Sequence, residues 1–333
     1  MKIINPSIEI MHHGLEIEHI LPEQHIEKVG RTCYKSEDKI NDTSAAKFVS
    51  GLIKRGHEAM IEHWSVAFRV DCGTFEEFKH DRDILLQSSN TVMDKRLRPY
   101  IRFTDYFKAD GEIRNIISGN MRAWRDYAYA CTVVFGMLPQ YMWGMIRNYP
   151  LFFPEYQDYV PIIINNTIMA PISIREMSED ERRIHQDVTV KFICDRGVSH
   201  EIVRHRVASF AQESTRYCNY SGDKYGSEIT VINPAWAMEP FTEENNKARM
   251  YKTWIDACNR AESAYFDMLI EGSTPQEARA VLPNSLKTEV IVTMNLDGWK
   301  HFFDLRCAND AHPDIQVVAK MARDEFDGFL WYV

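Results

Sequence analysis

Arg204-His205-Arg206-Val207-Ala208-Ser209-Phe210-Ala211-Gln212-Glu213-Ser214-Thr215-Arg216-Tyr217 gathers three arginines, a histidine and two serines into one short segment. Arg196, His200 and Glu201 stand just upstream. If the upstream part is helical, His200 and Arg204 share a face at i,i+4, and so do Glu201 and His205. A guanidinium is a planar fork suited to phosphate or carboxylate. A serine hydroxyl adds a small donor. A lone Arg-x-Arg is most simply a solvated helix end. Ser214-Thr215-Arg216 at a fixed distance argues instead for a built anion site.

Arg204-His205-Arg206, seven further residues and Ser214 read Arg-His-Arg-x7-Ser, and Ser209 to Tyr217 read Ser-x-x-x-x-Ser-x-Arg-Tyr. This pattern resembles the signature of the flavin-dependent thymidylate synthases. Other segments share the resemblance: Gly56-His57-Glu58-Ala59-Met60-Ile61-Glu62-His63 ahead of a strand, Ala278-Arg279-Ala280-Val281-Leu282-Pro283, Asn295 with His301 and Arg306, and Arg306-x-x-x-Asp310-Ala311-His312. Together they cover residues 1–70 and 188–325.

The resemblance implies an enzyme that converts dUMP to dTMP with FAD, taking the carbon from methylenetetrahydrofolate and the reducing power from NADPH. It implies a homotetramer with the flavin at the junction of subunits. Arg306 matches the catalytic position, facing the uracil edge. Glu201, Arg204, Gln212, Glu213, Ser214, Thr215, Arg216 and Arg279 match dUMP-binding positions, together with Arg306. His57, Ala59, Arg204, His205, Arg206, Gln212, Asn295 and His301 match FAD-binding positions. The chain departs from the family at several of them. Ala59 stands where a small hydroxyl residue is usual, and Glu201 where many members carry Gln. Some members have Glu at Gln212 or Asn at His301.

Net charge is −9, which argues against general nucleic-acid binding. The seven cysteines (Cys33, Cys72, Cys131, Cys194, Cys218, Cys258 and Cys307) are scattered, with no repeated C-x-x-C. That pattern suggests reduced thiols in a cytoplasm, without a zinc knuckle. Pro6, Glu9, His12 and His13 interrupt any signal-like apolar core, and no apolar run reaches membrane-spanning length. His57 and His63 with Glu58 and Glu62 could suggest a metal cluster. The spacing H-E-x-x-x-E-H does not place both imidazoles one helical turn apart, so no metal is expected.

The expected fold class is α/β (mixed α+β), a core of 1–72 and 188–333 interrupted by a large, mainly helical insertion at 73–187. Residues 1–20, 64–70, 189–194, 229–232 and 290–295 read as strands. Asp42 or Thr43, Thr242, Thr274, Asp297 and Pro313 mark helix starts, with a capping box at Thr274-Pro275-Gln276-Glu277. Met250, Trp254, Ala257, Ala261 and Tyr265 give the long helix its expected inward face. Within the insertion, Ile113, Ile116, Ile117, Met121, Trp124, Tyr127, Ala128 and Cys131 fall at helical spacing. The insertion is expected to lie outside the core and away from the flavin site. Lys95, Arg96, Arg98 and Arg102 read as a solvated face. Two other functions stay open: a nucleotide-binding or assembly protein of the same fold without turnover, and a phosphoesterase with Ser214 as nucleophile.

Overall fold

The computed structural model describes residues 1–14, 20–71, 100–107, 113–136, 138, 140–159, 168–216, 219–220, 222, 226–238 and 246–329. Strands β1 (Lys2–Ile4) and β2 (Ser7–His12) lead to helices α1 (Pro22–Tyr34) and α2 (Ser44–Lys54). Next come β3 (Ser65–Asp71), β4 (Ile101–Phe107), β5 (Ile113–Asn120), α3 (Met121–Phe135), α4 (Gln140–Asn148), β6 (Ile168–Pro171) and α5 (Glu179–His185). Then follow β7 (Asp187–Asp195), α6 (Arg196–Ile202), β8 (Ser209–Gln212), β9 (Thr230–Ile232), α7 (Lys247–Ile270), α8 (Pro275–Ala278), β10 (Lys287–Asn295), α9 (Leu296–Arg306) and α10 (Pro313–Phe329). The architecture is mixed α/β, as the sequence indicates.

The sheet that carries the signature has the order β2-β7-β10-β8, antiparallel throughout. Strand β10 is buried along both faces, which explains its continuous apolar run, Val290-Ile291-Val292-Thr293-Met294. On one face Val188, Val190, Phe192, Val290 and Val292 meet Trp299, Phe302, Val318 and Phe326 of α9 and α10. On the other, Ile291 and Ala211 meet Val29 of α1. A parallel β1–β9 pair packs with α7 through Val231, Cys258 and Tyr265.

The second sheet, β4-β5-β3-β6, joins the core to the expected insertion. Strand β3 pairs with β5 on one edge and β6 on the other. Met121, Trp124, Met145, Phe152 and Phe153 then share one hydrophobic cluster with Ile26, Val49, Leu52 and Phe68. The expectation of an excursion lying outside the core is therefore corrected. Strand β3 has two edges to satisfy, and this segment covers both. The stripe at 113–131 also divides: Ile116 and Ile117 lie in a strand, and only from Met121 onward is the chain helical. The break is Asn120, whose Oδ1 accepts from Ala123 N–H at 2.8 Å as a helix N-cap.

Arg102 corrects another expectation. Its guanidinium donates to both Asp187 carboxylate oxygens at 2.8 and 2.6 Å, and to the Ile184 carbonyl at 2.9 Å. It ties β4 to the start of β7. Lys95, Arg96 and Arg98 lie outside the described residues. Beside this pair, His185 is buried between Thr104 Oγ1 at 2.8 Å and Ser118 Oγ at 2.7 Å. Burial, with the Arg102 charge nearby, pulls its pKa down to about 3.

Two helix readings change. Asn295, not Asp297, caps α9, its Oδ1 accepting from Gly298 N–H at 3.0 Å. Helix α7 turns Trp254, Ala261 and Tyr265 inward, joined by Cys258, while Met250 and Ala257 are exposed. Thr242, its expected cap, lies outside the described residues. The capping box at Thr274 is formed, Glu277 Oε2 accepting from Thr274 N–H at 2.8 Å.

Candidate functional site

Helix α6 starts at the end of β7, where Asp195 Oδ1 accepts from Val198 N–H at 2.7 Å. It stops at Ile202, so Arg204 and His205 do not continue its face. Their N–H groups close turns onto the carbonyls of Glu201 and Ile202 at 3.3 and 3.2 Å. Val207 then adopts φ +60°, a left-handed conformation that a β-branched residue rarely takes and that costs on the order of 1–3 kcal/mol. This turn redirects the chain into β8.

The end of α9 brings Arg306 to the same place from far along the chain. Arg306 Nη1 donates to Glu201 Oε2 at 3.0 Å and Nη2 to the Glu201 carbonyl at 3.2 Å. Its Nε donates to His205 Nε2 at 2.9 Å. Burial first, then the charges of Arg306 and His301, lowers the His205 pKa to about 4. The imidazole is therefore neutral at physiological pH, with Nε2 as acceptor and its proton on Nδ1. The ring also packs on Phe302, with centroids 4.8 Å apart, and meets the exposed His301 at 6.0 Å. Arg306 keeps part of its surface open to solvent. It is a fixed cation at an accessible position.

The Ser-x-Arg segment emerges from β8 beside β10. Gln212 Nε2 donates inward to Ser199 Oγ at 2.9 Å and Thr288 Oγ1 at 3.2 Å. Ser214 Oγ accepts from Arg216 N–H at 3.3 Å, which leaves the hydroxyl proton to donate elsewhere. Thr215 Oγ1 accepts from Arg279 Nη1 at 3.3 Å, so Ser214, Thr215, Arg216 and Arg279 form one cationic, hydroxyl-rich patch. Glu213 is buried and its carboxylate pairs with Lys287 at 2.9 Å, so its side chain faces the interior. Arg204 and Arg206 are exposed and form no ion pair with any described residue.

The other expected positions stand apart. His57 and Ala59 are exposed at the start of the 3-10 turn Glu58–His63. His63, two turns on, is buried and its Nδ1 lies 2.7 Å from Thr293 Oγ1. The Asn295 side chain also donates Nδ2–H to the Ile184 carbonyl at 3.1 Å, in addition to its capping role. It lines a cavity of about 200 Å³ with Glu62, Tyr100, Arg102, Asn120, Val207 and Ser209. Tyr100, Arg102 and Asn120 belong to the segment expected to stay away from the site. The sequence reading also missed Lys35, Lys287 and Glu289. Lys287 and Glu289 were detectable as two charges at the head of an otherwise apolar strand.

The sequence profile of the family described as thymidylate synthase complementing protein matches residues 17–80 and 183–329, more than half of the chain. The chain belongs to this family. The signature, Arg279, Asn295, His301 and Arg306 all fall in the second matched block, and His57 in the first. Between the blocks lie β4, β5, α3, α4 and β6. A flavin-dependent thymidylate synthase of Geobacter sulfurreducens is 37% identical over 124 residues, 37% of this chain and 49% of the relative. Proteins of the same name from Pyrococcus furiosus and Sulfolobus acidocaldarius are 37% and 38% identical over 127 and 131 residues. These cover 38% and 39% of this chain and 48% and 45% of the relatives. The chain spans about half the length of the relatives it matches.

Proposed function

We propose that the protein is an FAD-dependent thymidylate synthase that methylates dUMP to dTMP, with methylenetetrahydrofolate as carbon donor and NADPH as reductant. The observation that carries this reading is the meeting of Arg306 with Glu201 and His205. Two segments that resemble the family separately, and lie about a hundred residues apart, come together as one cationic site.

In this reading Ser214, Thr215, Arg216 and Arg279 bind the phosphate of dUMP. Glu201 accepts from uracil N3–H, and Arg204, Gln212 and Glu213 complete the pocket, Glu213 through its backbone. For C5 to take up a carbon it must become electron-rich, and negative charge then gathers on the ring oxygens. Arg306 is the preorganised cation that stabilises that charge. Neutral His205 supports this role, because it accepts from Arg306 without competing as a second cation.

FAD, when bound, supplies the reducing equivalents. His57, Ala59, Arg204, His205, Arg206, Gln212, Asn295 and His301 are the residues proposed to hold it. Exposed Arg204 and Arg206, without ion-pair partners among the described residues, suit the charge of a pyrophosphate. Self-association as a homotetramer would complete this cofactor site, consistent with exposed Val203, Val207 and Leu305 beside it. The other proposed partners are the small molecules alone, with no nucleic acid and no membrane; among the described residues no helix is long and apolar enough to cross a membrane. Cys131, Cys194, Cys258 and Cys307, which form no disulfide, suit a cytoplasmic setting. A phosphoesterase reading has less support, since no described imidazole hydrogen-bonds Ser214. The test is the visible spectrum of the purified protein. A flavin band bleached by NADPH is expected, and colourless protein that FAD cannot reconstitute contradicts the proposal.

A further inference from the structure

Behind Ser214, Thr215 and Arg216 lies a group of four charges largely withdrawn from water. Lys287 Nζ donates to Glu213 Oε2 at 2.9 Å and also pairs with Glu289. Lys35 Nζ pairs with the same oxygen of Glu289 and lies 3.4 Å from Glu37. Side-chain exposure is 3% for Glu213, 10% for Glu289, 14% for Lys35 and 16% for Lys287. Burial by itself would lower the Lys35 pKa, but Glu213 and Glu289 outweigh it and hold it up. Burial would likewise raise that of Glu289, but Lys287 and Lys35 hold it down. Lys35 and Glu289 therefore stay ionised.

The same elements that hold these side chains also hold the backbone. Glu213 N–H donates to the Glu289 carbonyl at 2.8 Å, and Ser214 N–H donates to the Cys33 carbonyl at 3.1 Å. Lys287 and Glu289 are two apart on β10 and so project to one side. Lys35 is the left-handed cap of α1, at φ +49°. A buried ion pair is weak evidence for stability, because apolar replacement of both partners is often neutral. Fixing a register is its best-attested use.

We infer that Lys35, Glu213, Lys287 and Glu289 form a positioning network that fixes the peptide entering Ser214-Thr215-Arg216, so that this segment meets a phosphomonoester preformed. The inference rests on the proposed dUMP reading. None of the four side chains needs to touch the ligand. If the lysines acted only as distant positive charge, removing a neighbouring negative charge would tighten anion binding. A positioning network predicts the opposite, because either deletion frees the loop.

The experiment is equilibrium binding of dUMP and of deoxyuridine to the full chain and to Lys287→Met, Glu213→Gln, Lys287→Arg and the double variant Lys287→Met/Glu213→Leu, with melting curves alongside. The dUMP Kd should rise about tenfold in both Lys287→Met and Glu213→Gln. It should return to within about threefold of wild type in the double variant and in Lys287→Arg. Deoxyuridine binding should not move, and in Lys287→Met kcat at saturating dUMP should stay within about twofold while KM rises. If Lys287→Met does not fold, Glu213→Gln alone decides. Tighter dUMP binding by Glu213→Gln, equal losses for dUMP and deoxyuridine, or variants indistinguishable from wild type would each overturn the network. Wild-type protein that binds no dUMP overturns the functional reading itself, and this inference with it.

Discussion

Arg306 and Glu201 are joined twice: Nη1 reaches the Glu201 carboxylate at 3.0 Å, and Nη2 reaches its carbonyl at 3.2 Å. With Nε on His205, the guanidinium is held at all three nitrogens. A lysine has the charge but not the fork, and cannot make these bonds at once. Arg306→Lys should therefore lower turnover on the order of 3 kcal/mol in barrier, about a hundredfold, while FAD stays bound. Steady-state kinetics and the flavin absorbance check both parts. Near-normal turnover would remove Arg306 from the catalytic role.

The Ser214 oxygen accepts from Arg216 N–H, which leaves its hydroxyl proton to donate to a ligand. Ser214→Ala should weaken dUMP binding by roughly 1.5–3 kcal/mol, the usual range for a hydrogen bond to a charged group, yet keep measurable activity at saturating dUMP. Isothermal titration gives the affinity. A covalent adduct trapped on Ser214, or complete loss of chemistry in the variant, contradicts the phosphate-binding role.

The Arg102–Asp187 pair joins the intervening segment to the core sheet, with side chains only 15% and 12% exposed. Losing one partner of a fully buried pair costs 3–5 kcal/mol, so Arg102→Met at this less enclosed site should cost about 2 kcal/mol. Urea denaturation measures it. Replacing 81–182 with a short turn should leave the protein unfolded, because it removes Trp124, Phe152 and Phe153 from the cluster they share with Val49, Leu52 and Phe68. A soluble, cooperatively folded deletion variant would show that the core stands without them.

Three histidines make the fold acid-sensitive. Burial lowers the pKa of His63 to about 4 and, with Arg102, that of His185 to about 3; burial with Arg306 and His301 lowers His205 to about 4. Each is neutral in the folded protein and titrates near 6.5 when unfolded. Their stabilising contribution is fully present above about pH 6.5 and is lost as pH falls toward 4. For buried His63 the loss is about 1.4 kcal/mol per pH unit within that window. Urea midpoints should fall steadily from pH 7 to 4.5, and His185→Gln should flatten the slope. A midpoint independent of pH across that range contradicts the assignment.

The signature, Arg279 and Arg306 were legible because they repeat a family pattern at near-fixed spacing, and all fall in the second block that the family profile matches. Strands β7 and β10 were legible from their apolar runs, and α8 from its capping box. Strand β5 was not. Ile116 and Ile117 are buried in a strand enclosed on both sides, and such a run cannot be told from a helix by period alone. The role of Glu201 as the partner of Arg306 also escaped, since its proximity arises only when β10 delivers α9 to the end of α6. Lys35 ends α1, whereas Lys287 and Glu289 head β10, and the two places meet only in the fold. Arg102 read as a surface charge because its partner is far along the chain.

The central claim is reductive methylation of dUMP. The most direct measurement is a single turnover of the full-length protein reconstituted with FAD, reduced, and mixed with dUMP and methylenetetrahydrofolate, with the nucleotide products separated and identified. One equivalent of dTMP per site, with oxidation of the flavin, is the predicted result. Unchanged dUMP from protein that carries reduced flavin and binds both substrates would contradict it.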